Sequence, residues 1–290
     1  MYDRKFLFKV LCLGNSQLAQ VAKCQGPNSQ INTACSGTTT GLAIASDWIT
    51  LGRCERVVVV AGDSASSDTL LPFIGNGFVA LGAACTKGTV AEGSMPFDKR
   101  RSGMIVGSGG VGLVLERAAS AEAPLAKLLH SQFTNSAYHG AAMCKNHIAS
   151  ELRRFLADVK SKYGIDKEEI AHHGVYYSHE TSTHSTPTSS CSFNEISALR
   201  EVFGDDLLQK LVITSTKGFT GHSMGCSFED VAAVVGMQRQ VVPPVANYKE
   251  VDENLGPLRI SKGGRFSHRY ALRLGAGFGS QVAWVLYAQK

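Results

Sequence analysis

Short apolar, β-branched runs alternate along the chain with longer segments whose apolar positions recur at helical spacing. Val57-Val-Val-Val-Ala-Gly62 is wholly apolar, the pattern of a strand buried on both faces of a parallel sheet. A helix is expected just before it, from about Ser36 to Leu51, and Met104 to Leu115 reads as strand, glycine turn, strand. Ile148, Leu152, Phe155, Leu156 and Val159 share one helical face, with Glu151, Arg153, Arg154, Asp158 and Lys160 on the other. Val175 to Ser178 and Leu211 to Ser215 predict strands, Phe193 to Phe203 a helix, His222 to Gln240 a second helix, and Gln281 to Tyr287 a closing strand. Ala118 to Pro124 is small and turn-forming, which marks a seam between an N-terminal half, 1–120, and a C-terminal half, 121–290. Repeated strand–helix units predict an α/β fold, a mostly parallel sheet with helices on both faces.

Composition changes this picture little. With 44% hydrophobic and 18% charged residues the chain can bury a sizeable core. The formal charge of +5 is too small to imply nucleic acid and suits an acidic protein partner. No apolar run is long enough to cross a bilayer. The opening apolar patch is broken by Lys9 and lacks a cleavage site, so no signal peptide is expected. Eight cysteines (Cys12, Cys24, Cys35, Cys54, Cys85, Cys144, Cys191 and Cys226) are scattered without a CxxC pair. That distribution favours reduced thiols and a cytoplasmic location.

Three positions carry candidate chemistry, each where a strand-like run gives way to small and hydroxyl residues. Cys35 lies in Asn32-Thr-Ala-Cys35-Ser-Gly37, at the start of the helix expected from Ser36. A helix N-terminus and nearby imidazoles can bring a thiol into the range of about 3.5–7.5, so that a thiolate able to attack a thioester is expected at neutral pH. His179 ends a strand in His179-Glu-Thr-Ser-Thr183, and His222 follows Lys217 in Lys217-Gly-Phe-Thr-Gly221-His222-Ser-Met-Gly225. One thiol and two imidazoles is the equipment of thioester acyl transfer. The remaining histidines, His139 and His184 among them, and the other cysteines receive only a structural reading. No compact third and fourth ligand accompanies any histidine pair, so no metal is expected, and no other cofactor is called for.

These segments together resemble the β-ketoacyl synthases, the decarboxylating condensing enzymes of fatty-acid and polyketide synthesis. Asn32-Thr-Ala-Cys35-Ser-Gly37 is similar to the nucleophile motif of that family. Pro96-Phe-Asp98-Lys-Arg-Arg101-Ser-Gly103 with Gly107-Ser-Gly109 and Leu115-Glu116 resembles its PFDxxRxG…GEG…LE segment. His179 to Thr183 looks like its HGTGT, Lys217 to Gly225 like its K-x-x-x-GH-x-x-G, and Gly277-Phe278-Gly279-Ser280 like its GFGG loop. The resemblance implies a thiolase-like fold whose first half-domain is incomplete, because the family carries many more residues before its nucleophile. It also implies an acyl-cysteine at Cys35, with His179 and His222 assisting decarboxylation of a malonyl thioester and Lys217 orienting the histidine site. The backbone N–H groups of Cys35 and Phe278 would form an oxyanion hole, and Phe278 would gate the acyl pocket. The implied partners are an acyl carrier protein with phosphopantetheine-linked acyl and malonyl groups, and a second copy of the chain or the rest of a multidomain synthase.

Departures from the pattern are specific. Glu180 and Ser182 replace the glycines of HGTGT, Ser108 stands at the centre of GEG, and Gln281 follows the GFGG-like loop where Asn is expected. A Ser/Thr-rich insert, His184 to Ser192, precedes Glu195, the acid that aligns with the family's Glu. A thiolase would need a second cysteine in the Gly277 loop, and the initiating or plant-type condensing enzymes pair Cys and His with Asn; the residues here match neither. A cysteine hydrolase would leave the five motifs coincidental. The remaining alternative is a truncated or degenerate condensing-enzyme fragment serving as a non-catalytic partner subunit, against which the retained Cys35, His179 and His222 count.

Overall fold

A computed structural model describes Phe6, residues 13–184 and residues 190–290. The opening apolar patch, Phe6 apart, and the middle of the Ser/Thr-rich insert lie outside the described residues. The labelled helices are α1 (Gly14–Ala22), α2 (Gly37–Thr50), α3 (Leu71–Ala80), α4 (Lys145–Tyr163), α5 (Lys167–His173), α6 (Cys191–Phe203) and α7 (Phe228–Arg239). The strands are β1 (Arg56–Asp63), β2 (Gly109–Glu116), β3 (Lys127–Asn135), β4 (Gly174–Tyr177), β5 (Val212–Thr214), β6 (Val241–Val242), β7 (Arg259–Ile260), β8 (Gly264–Arg265), β9 (Tyr270–Gly277) and β10 (Gln281–Ala288).

Six strands form one sheet in the order β3-β10-β9-β4-β5-β7. It is parallel from β9 through β4 and β5 to β7, and antiparallel at its β3-β10-β9 end. The apolar side of α4 buries Ile148, Leu152, Phe155 and Val159 on one face of this sheet, together with Leu199 of α6 and Trp284 of β10. Each such side chain contributes about 1.5–3 kcal/mol by leaving water. The opposite face packs Val175, Tyr177, Ala271 and Val285 against Leu42 of α2 and Ala233 and Met237 of α7. Helices therefore cover both faces, as the alternating pattern predicts.

The layer holding α2 places the chemistry. This helix packs on β1 and β2 on one side and on β3, β9 and β10 on the other. Its sequence suits that sandwiched place: Thr38, Thr39, Thr40, Gly41, Leu42 and Ala43 are buried, and Gly41 leaves room for Val59 of β1. The buried hydroxyls are paired, Thr38 donating to the Gly225 carbonyl (2.7 Å) and Thr39 to Asp230 (2.7 Å), as buried polar groups must be.

Four local expectations fail for identifiable reasons. β1 is antiparallel to β2 and alternates exposed with half-buried positions, so it is not buried on both faces. Among the described residues its only partner strand is β2, and only its α2 side is covered. Met104 and Val106 form isolated bridges, to Ala84 and His222, in place of the expected first strand. The last long helix begins at Phe228, not His222, because Ser227 caps it by accepting from the Asp230 N–H (3.2 Å); a single helical turn, Lys217–Thr220, stands before it. Finally β3 and β9 were not foreseen: β3 carries polar residues on one face, and Arg273 interrupts the apolar run of β9.

Candidate active site

Cys35 occupies a short 3-10 turn, Ala34–Ser36, that feeds into α2. Ala34 has a left-handed backbone (φ 48°), and Ser36 ties the turn shut by donating both its N–H (3.2 Å) and its hydroxyl (2.7 Å) to the Thr33 carbonyl. The end of β9 presses on this turn. A Cβ at Gly277 would stand 2.4 Å from the Thr33 oxygen and 3.0 Å from the Cys35 nitrogen, so only glycine fits there. The next residue, Phe278, begins the loop to β10 and packs on Phe78 of α3 with ring centroids 5.8 Å apart.

His179 leaves the C-terminal end of β4, and its N–H is held by Glu195 Oε1 of α6 (3.0 Å). Tyr176 donates its hydroxyl to the same oxygen. His222 is fixed through its main chain, donating to the Ile105 carbonyl (2.7 Å) and accepting from the Gly107 N–H (2.9 Å). The two imidazoles stand edge to face, centroids 5.6 Å apart at 87°. Both rings are buried, and among the described residues neither Nδ1 has a hydrogen-bond partner.

A single cavity of about 360 Å³ gathers these groups: Cys35, His179, His222 and Phe278 all line it. Phe78, Met104 and Met143 give it apolar wall, and Thr181, Thr183 and Gln281 give it polar wall. His139 and His184, which the sequence reading left as structural, line it too, as do Cys144 and Cys191. Lys217 is not among the lining residues. It is buried behind them, its ammonium bonded to Glu229 (2.9 Å), which Arg273 also approaches (3.3 Å).

Electrostatics fix the resting state. Burial pushes the Cys35 thiol up to about 11; Lys217 and the N–H groups of Phe278 and Cys35 pull the other way but do not offset it. The thiolate expected at neutral pH is therefore not the resting form, because the wall of the cavity withholds more solvation than the helix start returns. Burial, reinforced by Lys217, lowers His222 to about 3 and holds His179 well below the usual histidine range. Both rings are neutral near pH 7. Glu229 is held down at about 2, burial being outweighed by Lys217 and Arg273.

Sequence reasoning missed Glu229 and Arg273. Two signals were available: acids two and three residues after Ser227 in a capping pattern, and a lone cation inside the apolar strand Tyr270–Gly277. Glu180, Glu195 and Cys191 also bring side-chain atoms within 4.8 Å of one another, all buried. Arg101, whose Nε lies 3.8 Å from Glu180, already supplies positive charge there, and these three are assigned no ligand role. The seven described cysteines are free thiols.

Comparison with known proteins agrees with this geometry. Residues 7–121 match the N-terminal domain and residues 125–249 the C-terminal domain of the beta-ketoacyl synthase family. The chain belongs to the β-ketoacyl synthase family. Nodulation protein E of Rhizobium meliloti is 30% identical over 242 residues, covering 81% of this chain and 55% of that protein. The 3-oxoacyl-[acyl-carrier-protein] synthase 2 of Vibrio cholerae is 27% identical over 264 residues, covering 88% of this chain and 60% of that one. This β-ketoacyl synthase chain thus spans little more than half the length of these two relatives. Among solved structures, a type II polyketide ketosynthase bound to the hexaketide and in complex with its acyl carrier protein superposes with a TM-score of 0.83 at 23% identity, over 95% of this chain and 66% of that one. The ishigamide ketosynthase/chain length factor gives 0.80 at 23% identity, over 95% and 64%. The fold is therefore that of the ketosynthases, thiolase-like as expected. Among the described residues no helix is long and apolar enough to cross a membrane.

Proposed function

We propose that this chain carries the chemistry of a condensing acyltransferase: transfer of an acyl group to Cys35, then decarboxylative Claisen condensation with a malonyl thioester, in fatty-acid or polyketide synthesis. The observation that carries this reading is the shared cavity, where one sulfur and two neutral imidazoles meet beside the Phe278 loop.

In the first half-reaction Cys35 Sγ attacks the acyl carbonyl of a carrier-bound thioester. Its proton goes to the departing phosphopantetheine thiolate, and the N–H groups of Cys35 and Phe278 receive the oxyanion. Phe278 gates the acyl wall formed with Phe78. In the second, the malonyl C–CO2 bond breaks and its electron pair becomes an enolate, whose oxygen accepts hydrogen bonds from His179 and His222. The carbanion attacks acyl-Cys35, the S–C bond breaks with its electron pair returning to Sγ, which takes a proton from water, and a β-ketoacyl thioester leaves. Loss of CO2 supplies the carbanion, so no strong base is needed, and two neutral donors suit an enolate. Lys217 acts from behind the cavity, through its field. An acyl carrier protein is the partner, and the chain works as a homodimer or within a larger synthase, in the cytoplasm.

The test is acylation of purified protein by an acyl thioester, with mass spectrometry locating the label. Label on Cys35, absent in Cys35→Ala, is expected, together with malonyl decarboxylation that falls in His179→Ala and His222→Ala. Label on another cysteine, or decarboxylation unchanged in both histidine variants, overturns the reading.

A further inference from the structure

His179 and Thr181 line the cavity; the residue between them turns the other way, into the protein. Glu180 is fully buried. Its Oε1 accepts the Ser182 N–H (3.0 Å), and the Phe97 N–H also bonds its carboxylate. Arg101 faces it with Nε at 3.8 Å while spending its other nitrogens on Asp252 (2.6 Å), the Asp98 carbonyl (2.9 Å) and Ser190 (3.3 Å). The Glu180 main chain is fixed as well, donating to Ser178 Oγ (2.9 Å) and accepting from Ser215 Oγ (3.5 Å).

Ser182 explains why a carboxylate is wanted here. Its φ is +64°, a left-handed conformation that glycine adopts freely and serine does not. The bond from Ser182 N–H back to Glu180 closes a ring across Thr181 and anchors the nitrogen of that strained residue. Gly103 N–H bonds the Ser182 carbonyl (2.8 Å) and Ser94 meets its hydroxyl (3.2 Å), completing the clamp. The two positions where this chain departs from HGTGT are thus one linked replacement: the side chain at 180 holds the backbone at 182 that a glycine would provide unaided.

We propose that Glu180 is a positioning residue for the decarboxylation step, a strut from Ser182 and Arg101 that aims the His179 ring at the enolate oxygen. This rests on the function proposed above. The charged and titratable groups facing Glu180 are Arg101 from the 98–103 segment and Glu195 and Cys191 from α6. Burial, opposed by Arg101 and reinforced by Glu195, pushes the Glu180 carboxyl up to about 7. The ionised form is the better acceptor for Ser182 and the better partner for Arg101, so the strut tightens as pH rises through neutrality.

The experiment compares wild type, Glu180→Gln, Glu180→Gly and the double variant Glu180→Gly/Ser182→Gly. Both single variants are expected to lose malonyl decarboxylation about tenfold or more while Cys35 acylation stays within about twofold, since the Cys35 turn rests on other contacts. The double variant recovers to within about threefold of wild type, because glycine restores the left-handed turn. Wild-type decarboxylation climbs with pH between about 6 and 8, and Glu180→Gln flattens that climb. Unchanged decarboxylation in Glu180→Gln, equal losses in both half-reactions, or no recovery in the double variant overturns the proposal. The strut is also read without turnover, from the His179 imidazole resonances in 15N-labelled protein. They shift in Glu180→Gln and return in the double variant; no shift overturns the proposal. Wild type that decarboxylates nothing overturns the proposed function instead, and the resonances still decide the strut.

Discussion

Raising the pH should switch Cys35 on far later than it switches on an ordinary thiol. Burial holds this thiol up at about 11, against Lys217 and the N–H groups of Phe278 and Cys35, which favour the thiolate. At pH 7.5 a group with that pKa is ionised in roughly one molecule in 3,000, whereas a free thiol near 8.5 is ionised in about one in ten. Alkylation by a small neutral reagent such as iodoacetamide proceeds through the thiolate. Its rate at Cys35 should therefore rise about tenfold per pH unit from 7 to 10 without levelling, while an unperturbed cysteine in a model peptide levels above about pH 9. Timed quenching and peptide mass spectrometry separate Cys35 from the other cysteines. Lys217→Met removes a stabiliser of the anion, so the curve should move to still higher pH. A plateau at Cys35 by pH 8, or a Lys217→Met curve moved to lower pH, would falsify the claim that burial sets the resting state.

Two further changes test the supports of the site. Lys217→Met also leaves Glu229 buried with Arg273 as its one remaining cationic partner among the described residues; breaking a buried pair in this way costs about 3 kcal/mol, read as a shifted urea midpoint, and a loss below about 1 kcal/mol would show that Arg273 suffices. Gly277→Ala drives a Cβ to 2.4 Å from the Thr33 oxygen, so it should destabilise by about 2 kcal/mol or more and alter Cys35 labelling. Gly14→Ala, whose Cβ meets nothing within 4 Å among the described residues, is the control, and equal melting temperatures for the two variants would contradict the tight fit.

Motif chemistry was legible in the sequence because each motif marks a place where backbone geometry, not just side-chain type, is constrained. The Asn32–Gly37 run, the Gly221-His222 step and the Gly277-Phe278 loop all demand small residues where two segments touch. Gly107 shows the same constraint from the opposite side, since a Cβ there would stand 2.2 Å from the Thr220 oxygen. What stayed hidden was whatever depends on contact between remote segments. The Lys217–Glu229–Arg273 cluster joins two stretches 12 residues apart to a third 44 residues further on, and no spacing rule connects them. Strand β9 was hidden by Arg273, a cation whose burial is made tolerable by the facing Glu229 and Asp230 and by the Tyr177 carbonyl and Ser227 hydroxyl. The protonation of Cys35 was misjudged for a related reason: a helix start can be read from sequence, whereas the depth of the wall around it cannot.

The charge pattern behind the cavity follows a single logic. Glu229 and Asp230 lie against Lys217 and Arg273, two anions against two cations. Thr39, Tyr287 and Ser227 hydroxyls bond the same carboxylates, so the cluster is paired and has little freedom to move. In front of it stand a protonated thiol and two uncharged imidazoles, so the reacting groups carry no net charge at rest. In the proposed reaction negative charge grows on the thioester oxygen as Cys35 attacks, and it moves from the malonyl carboxylate to the enolate oxygen as CO2 leaves. For its proposed role Lys217 needs no movement, because its ammonium already lies close enough to favour the Cys35 thiolate and to reinforce the burial that keeps both histidines neutral. A fixed field centred behind Cys35 and the rings favours charge that arrives there, whereas the same cation exposed in the cavity would bind resting substrate carboxylate directly. On this reasoning Lys217 belongs behind the rings and out of the cavity, which is where the fold has put it.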